Sequence, residues 1–188
     1  MQITETAIPG AYVIDPEPHP DNRGAFSELL RADLLEPRLG HPFVVRQINF
    51  SVSRRNTLRG IHSVTVPPGQ EKFVTCVRGG IRDIIVDLRV GSPTFGQYVV
   101  TELVEGLGRA LYIPDGVGHS FHARADDTCV LYAVSTVFVP DAQLEVDPLD
   151  PQLALPWELP EPPVMSEKDR GARSLAAMAD SGLLPKWE

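Results

Sequence analysis

Cysteine is scarce in this sequence of 188 residues. The two that occur, Cys76 and Cys129, lie in apolar segments that resemble strands. Proteins that fold around disulfides carry several cysteines at framework spacings, and this chain does not. We therefore expect two buried, reduced thiols and a cytoplasmic protein.

Positive charge and long apolar runs are also in short supply. Lysine and arginine number 17 against 25 aspartates and glutamates, so the formal net charge is -8. A surface that coats nucleic acid or an anionic membrane needs the opposite balance, so neither partner is expected, and any anionic ligand has to be held by a local cluster of positive charge.

The first ten residues, MQITETAIPG, lack the basic and apolar regions of a signal peptide, and no apolar run approaches the roughly 20 residues that span a bilayer. The sequence predicts a soluble protein that is not exported.

Short apolar segments punctuated by glycine and proline dominate the rest of the chain, which has 15 Gly and 18 Pro. This pattern is typical of an all-β sandwich or barrel. The predicted strands are 11–14, 43–50, 72–78, 81–90, 97–103, 109–113 and 129–139, and the predicted helices are 27–36 and 173–184. The Ser181-Gly182 pair argues that the second helix ends early.

Three local patterns refine this prediction. In the strand 81–90, Ile84, Val86 and Leu88 share one face, and Asp83 and Asp87 lie on the other. The sequence RGG at 78–80 predicts a tight hairpin turn, because glycine accepts positive φ. The Pro-rich stretch 139–164 has apolar side chains to bury, so it predicts an extended segment that wraps around a single domain, 1–188, rather than a linker.

A spaced motif at 108–119, GRALYIPDGVGH, fits G-x5-P-x-G-x2-H, the second half of the cupin signature, in which His119 points into a β-barrel. The first half asks for H-x-H followed by Glu, whereas His62-Ser63-Val64 supplies one histidine before Glu71. A transition metal needs three or four nitrogen, oxygen or sulfur ligands. We therefore expect a cupin-type β-sandwich or jelly-roll barrel with a few short peripheral helices and no metal.

Seven segments extend the resemblance to one family over nearly the whole chain. They are DNRGAF at 21–26, RQINFSVSRRNTLRGIH at 46–62, PPGQEKFVTCVRG at 67–79, VDLRVGSPTFG at 86–96, IPDGVGHSF at 113–121, DPLDPQLALPW at 147–157 and SEKD at 166–169. The chain resembles, in the same order, the dTDP-4-dehydrorhamnose 3,5-epimerases. This resemblance implies an isomerase without a cofactor that inverts C3 and C5 of a dTDP-4-keto-6-deoxyhexose.

The resemblance also implies which residues carry the reaction. Epimerisation beside a ketone requires a base on one face of the sugar, stabilisation of the enolate, and an acid on the other face. His62 is the expected base, because an imidazole is largely neutral at working pH, and Asp169 of SEKD would fix its tautomer. Lys72 would set a positive charge against the enolate oxygen, and Tyr132 would return the proton from the opposite face.

The substrate-binding residues that the resemblance implies are Arg23, Phe26, Glu28, Gln47, Asn49, Arg59 and His119. Arg23 and Arg59 would hold the diphosphate, since a guanidinium fork suits phosphate oxygens. Phe26 would stack on thymine, and Glu28, Gln47 and Asn49 would contact the nucleoside. His119 would lie beside the sugar or phosphate. Members of the family are homodimers that exchange N-terminal strands, so Arg23 and Phe26 are expected to serve the neighbouring subunit's pocket.

Arg59 and His62 pose a geometric problem, because residues an odd number apart on a regular strand face opposite sides. We predict a bulge or bend at Gly60, where glycine costs least, so that both side chains reach one cavity.

Two departures from the family pattern leave alternatives open. Phe138 stands where many members have a tyrosine, and Ser63 stands where an aromatic residue often follows the motif histidine. A 3-epimerase that inverts C3 alone is therefore an alternative. A sugar-nucleotide binding module without activity and a metal-dependent cupin enzyme are the others.

Overall fold

The computed structural model describes residues 1–187. In this range the strands are β1 (Gln2–Glu5), β2 (Tyr12–Asp15), β3 (His19–Asp21), β4 (Gly24–Phe26), β5 (Gln47–Ser53), β6 (Leu58–Val64), β7 (Lys72–Arg78), β8 (Gly80–Asp87), β9 (Tyr98–Val104), β10 (Ala110–Ile113), β11 (Val117–Ala123), β12 (Thr128–Val134) and β13 (Gln143–Glu145). The helices are α1 (Ala32–Leu39), α2 (Glu167–Arg170) and α3 (Leu175–Asp180), with a 3₁₀ turn at Pro140–Ala142.

Two antiparallel sheets form a sandwich. One has six strands in the order β1-β2-β10-β7-β12-β5, and the other has five in the order β13-β6-β11-β8-β9. Strands β3 and β4 form a separate hairpin. The prediction of a cupin-type all-β sandwich with a few short helices is confirmed.

The core lies between the sheets, and further apolar clusters cover their outer faces. Val74 of β7, Val130 of β12 and Ile85 of β8 belong to the inner cluster. The outer face of the five-stranded sheet is covered by the Pro-rich segment and α3, through residues such as Leu153 and Trp157. The prediction of a wrapping segment is confirmed, and the indole N–H of Trp157 donates to the carbonyl of Pro148 at 2.7 Å.

Several predicted boundaries are displaced. The strand predicted at 43–50 begins at Gln47, because Phe43 leaves the sheet and packs edge-on against Tyr112, with ring centroids 5.5 Å apart. The helix predicted at 27–36 lies at Ala32–Leu39 and ends at Gly40, whose φ of 77° is the left-handed conformation that glycine accepts. The last helix ends at Asp180, as the Ser181-Gly182 pair predicted.

The predicted hairpin at 78–80 is wrong. Strands β7 and β8 belong to different sheets, so Gly79, with φ of 77°, carries the chain around a corner of the sandwich. A Cβ at Gly79 would lie 2.6 Å from Oγ1 of Thr128, which explains the need for glycine there. Local turn residues could not distinguish a hairpin from a corner, because which strands pair is decided by the rest of the sandwich.

Both cysteines are free thiols. The expectation of burial is met by Cys76, whereas Cys129 is only half-buried. None of the helices within residues 1–187 has the length and apolar character needed to cross a membrane. The cellular location stays a prediction.

Candidate active site

A cavity of about 310 Å³ opens between the two sheets. Eight of the eleven residues predicted for the site line it, namely Gln47, Asn49, Arg59, His62, Lys72, His119, Tyr132 and Asp169. They come from β5, β6, β7, β11, β12 and α2, so both sheets and one helix contribute.

The predicted bulge at Gly60 is confirmed. On β6, His62 lies opposite His119 of β11, and Arg59 lies opposite Phe121, so three steps on β6 match two on β11. The φ of Gly60 is 105°, and a Cβ there would lie 2.5 Å from the carbonyl oxygen of His119. The bulge turns Arg59 and His62 toward the same cavity.

His62 and Asp169 form a dyad. Nε2 of His62 lies 2.6 Å from Oδ1 of Asp169, and the Asp169 side chain is buried while that of His62 is partly open to the cavity. Asp169 sits on α2, which Ser166 caps by accepting a hydrogen bond from the Asp169 backbone N–H at 3.0 Å. Burial alone would raise the pKa of Asp169, but the hydrogen bonds from His62 and Ser166 hold it below its usual range. The carboxylate is therefore charged and can stabilise an imidazolium.

Lys72 and Tyr132 lie on the six-stranded sheet, across the cavity from His62. Lys72 is buried, and burial lowers the pKa of its ammonium to about 8, although the charge of Asp115 opposes this shift. Burial also raises the pKa of Tyr132, with the positive charge of Arg59 acting in the other direction. At neutral pH the phenol is protonated and Lys72 is mostly charged.

A second histidine–carboxylate pair lies deeper in the cavity wall. Nε2 of His119 lies 2.7 Å from Oδ2 of Asp83, whose side chain is fully buried. The sequence had placed Asp83 on the face opposite Ile84, and that alternation is confirmed, because Ile84 belongs to the outer cluster. The pairing itself was missed, since it depends on the register of β8 against β11.

Arg59, Gln47 and Asn49 are already hydrogen-bonded within the chain. Arg59 donates through Nε to Oγ of Ser53 at 3.1 Å. The Gln47 amide nitrogen donates to Oδ1 of Asn49 at 2.7 Å. These contacts orient the polar groups along the cavity wall that β5 provides.

Arg23, Phe26 and Glu28 lie outside this chain's cavity. The Arg23 side chain is 85% exposed and pairs with Asp21, with its Nη2 2.5 Å from Oδ2. Phe26 is 67% exposed, and Glu28 pairs with Arg31 at 3.2 Å. The β3–β4 hairpin carries Arg23 and Phe26 and pairs with neither large sheet. Within one chain, none of these three residues lines the cavity that holds His62.

The three potential metal ligands are not brought together. Glu71 accepts a hydrogen bond from the hydroxyl of Tyr112 and does not line the cavity, whereas His62 and His119 each face a carboxylate. Across residues 1–187, His, Cys, Asp and Glu form no group of three that could hold a metal ion.

Sequence reasoning missed several lining residues, chiefly Gln70, Gln143, Glu145 and Lys168. Glu145 lies opposite His62 in the pairing of β13 with β6, and Lys168 of α2 forms an ion pair with it. Only the position of Lys168 inside SEKD could have signalled its place. Both departures, Phe138 and Ser63, line the cavity. Ser63 is buried, and its hydroxyl donates to the carbonyl oxygen of Val117 at 3.5 Å.

Known proteins resemble this chain in sequence and in fold. The family model described as dTDP-4-dehydrorhamnose 3,5-epimerase matches residues 5–177. A dTDP-4-dehydrorhamnose 3,5-epimerase of Mycolicibacterium smegmatis is 43% identical, over 100% of this chain and 92% of the relative.

Two solved structures are similar over nearly their full length. One is a 4-keto-6-deoxy sugar epimerase from the novobiocin biosynthetic gene cluster of Streptomyces spheroides, with a TM-score of 0.96, 43% identity, and coverage of 100% of this chain and 94% of that one. The other is a 3'-monoepimerase from Streptomyces bikiniensis in complex with dTDP-quinovose, with a TM-score of 0.93, 39% identity, and coverage of 96% and 91%.

Proposed function

Because the chain belongs to the dTDP-4-dehydrorhamnose 3,5-epimerase family, we propose that it inverts C3 and C5 of a dTDP-4-keto-6-deoxyhexose. The observation that carries the proposal is that the His62–Asp169 dyad and Tyr132 lie on opposite walls of one cavity. An epimerase needs a base on one face of the sugar and an acid on the other.

In the proposed reaction, neutral His62 removes the proton from the carbon beside the ketone. The electron pair of the C–H bond forms a C=C bond, and the carbonyl π electrons move to the oxygen, which gives an enolate. Asp169 stabilises the imidazolium. The hydroxyl of Tyr132 then protonates the same carbon from the opposite face, and solvent restores both residues.

Lys72 supports this reaction through charge. Its ammonium is buried in the wall that also holds Tyr132, where a positive charge opposite the enolate oxygen acts in a medium of low dielectric. Arg59 lies on the same cavity and is proposed to bind the diphosphate.

Inversion of C3 alone is the second candidate. Phe138 at the cavity has no hydroxyl, so it cannot supply a proton or a hydrogen bond during a second inversion. The 3'-monoepimerase among the similar structures supports keeping this alternative.

We also propose that the protein is a homodimer and that the β3–β4 hairpin of each subunit completes the partner's site. Arg23 and Phe26 are exposed on a hairpin that no large sheet of its own chain binds. On the edge strand β5, which lines the cavity with Gln47 and Asn49, the alternate side chains Ile48 and Phe50 are 64% and 72% exposed. An apolar edge strand of this kind is suited to pairing with a second copy.

Deuterium exchange tests the proposed function. The purified protein is incubated in D₂O with dTDP-4-keto-6-deoxyglucose, and incorporation is measured at each carbon by NMR. We expect incorporation at C3 and C5, or at C3 alone for the second candidate. His62→Ala should abolish exchange, and Tyr132→Phe should allow exchange without inversion.

Other outcomes would favour other functions. Tight dTDP binding without any exchange would favour a binding module and contradict the proposal. Near-stoichiometric iron or a similar metal, with activity lost to a chelator, would favour a metal-dependent enzyme.

A further inference from the structure

The segment of residues 135–139, here called the mouth segment, links the two walls of the cavity. It begins at Ser135, directly after β12 and three residues after Tyr132, and leads through the 3₁₀ turn to β13. Strand β13 pairs with β6 beside His62. The mouth segment therefore connects the strand of the proposed acid to a neighbour of the proposed base.

Apolar burial does not hold the mouth segment in place. Val137 is 54% exposed, Phe138 is 60% exposed and Val139 is 36% exposed. Phe138 nevertheless lines the cavity. A segment with little buried apolar surface depends on its polar contacts for position.

Those contacts come largely from glutamine side chains that line the same cavity. The Gln70 amide nitrogen donates to the carbonyl oxygen of Thr136 at 2.8 Å. The backbone N–H of Phe138 donates to Oε1 of Gln47 at 3.0 Å.

Two more contacts hold the ends of the segment. The Gln143 amide nitrogen donates to the carbonyl oxygen of Val139 at 2.9 Å. At the other end, the backbone N–H of Ser135 donates to the carbonyl oxygen of Glu71 at 3.1 Å, and the Ser135 hydroxyl accepts from the Glu71 N–H at 2.9 Å.

We propose that Gln70 is a positioning residue, whose amide holds the mouth segment so that Phe138 closes the cavity over the bound sugar nucleotide. The inference rests on the proposed epimerase function. Gln70 is suited to this role because it anchors the segment at Thr136, between the Ser135 anchor and Phe138. A mouth segment held in one position slows dissociation of the substrate and of the singly inverted sugar from the cavity, and it limits the entry of water into the cavity.

The test is a double-mutant cycle between Gln70 and Phe138, read out as KM, kcat and the ratio of deuterium at C5 to C3. Gln70→Met keeps the length of the side chain but removes the donor to Thr136. We expect KM to rise roughly two- to tenfold, the range for one lost neutral hydrogen bond, with a much smaller change in kcat. If the wild type exchanges both positions, the C5 share should fall, because the singly inverted sugar leaves sooner.

Coupling to Phe138 separates positioning from a merely structural role. Phe138→Ala should raise KM as well, and adding Gln70→Met to it should change KM little further, because both act through the same segment. Gln97→Met, an exposed glutamine away from the cavity, should leave every value unchanged. If Gln70→Met does not fold, Gln70→Leu replaces it, since a neutral apolar side chain also cannot donate to the Thr136 carbonyl and adds no charge beside Lys72.

Three results would overturn the inference. The first is an unchanged KM in the Gln70 variant. The second is a KM in the double variant that rises by the product of the two single-variant factors, which would mean that the residues act independently. The third is a shifted pH profile of kcat in the Gln70 variant. A shifted pH profile would mean that Gln70 acts on Lys72, whose ammonium lies 3.5 Å from the backbone carbonyl oxygen of Gln70. A wild type that exchanges neither proton would instead refute the proposed function itself, so the two failures are distinguishable.

Discussion

Lys72 carries its charge in a position where burial works against it. Burial lowers its pKa to about 8, and the negative charge of Asp115 is the opposing influence. A lysine loses its proton as the pH rises through its pKa, so activity that needs the ammonium should fall above about pH 8. Asp115→Asn removes the charge that raises the Lys72 pKa, and we expect the alkaline limb of the kcat profile to move to lower pH.

Initial rates from pH 6 to 10 would measure this shift, with the buffer ionic strength held constant. Asp141→Asn is the matched control, because Asp141 is an exposed carboxylate on the 3₁₀ turn and is not among the charges that shift the Lys72 pKa. An alkaline limb that does not move in Asp115→Asn would mean that another group sets it.

The residues of the site differ in whether a nearby stretch of sequence is enough to predict their place at the cavity. Tyr132 could be placed at the cavity because its strand alternates, and His119 because a spaced motif ends on it. Asp83 and Gln70 could not, since their partners, His119 and Thr136, lie 36 and 66 positions away in sequence. Such contacts depend on which strands pair and in what register, and a single sequence contains little information on either.

At the scale of elements, the bulge of β6 depends on Gly60. Gly60→Ala would combine a positive φ of 105° with a Cβ 2.5 Å from a backbone oxygen and 2.7 Å from Cβ of Ser120. We expect a loss of roughly 2–4 kcal/mol in the free energy of unfolding, because neither the backbone nor the contact can relax cheaply. Urea unfolding followed by fluorescence measures this loss, and the activity that remains reports whether Arg59 and His62 still share the cavity.

Gly106→Ala separates the two causes. Gly106 also has a positive φ, of 78°, but nothing lies within 4 Å of its Cβ position. It should lose only about 1 kcal/mol, the cost of the left-handed conformation alone. Equal losses at the two positions would mean that the close approach of β11 contributes nothing.

Strands could be predicted where the sequence itself shows a simple apolar pattern. Strand β7 has the predicted bounds, 72–78, and its first five residues are buried. Strand β11 is absent from the strands predicted by apolar pattern, because its sequence, VGHSFHA, is mostly small and polar, although all seven residues are buried. Only the spaced motif that ends at His119 indicated a strand there. Burial between two neighbouring strands, rather than propensity, makes it a strand.

At the scale of the whole molecule, the cavity of one chain lacks three of the residues predicted to bind the substrate, namely Arg23, Phe26 and Glu28. Both walls are present, with His62 on one and Lys72 and Tyr132 on the other, but the predicted thymine and second phosphate contacts, Phe26 and Arg23, lie on an exposed hairpin outside the cavity. The family resemblance predicted that N-terminal strands are exchanged between subunits, whereas the residues alone indicated only an apolar N-terminal run. If the hairpin serves a partner, each site of a dimer draws its catalytic residues from one chain and its hairpin from the other.

Subunit complementation tests that arrangement. His62→Ala lacks the base, and an Arg23→Ala/Phe26→Ala variant lacks the hairpin contacts, so each alone should be nearly inactive at low substrate concentration. When equal amounts are refolded together, half the dimers are mixed and each has one intact site, so activity should return to about a quarter of the wild-type value. His62→Ala mixed with Asp169→Ala is the control, and it should recover nothing, because both residues come from the same chain in every site. No recovery in the first mixture, with mixed dimers shown by mass spectrometry, would mean that the hairpin does not cross between subunits.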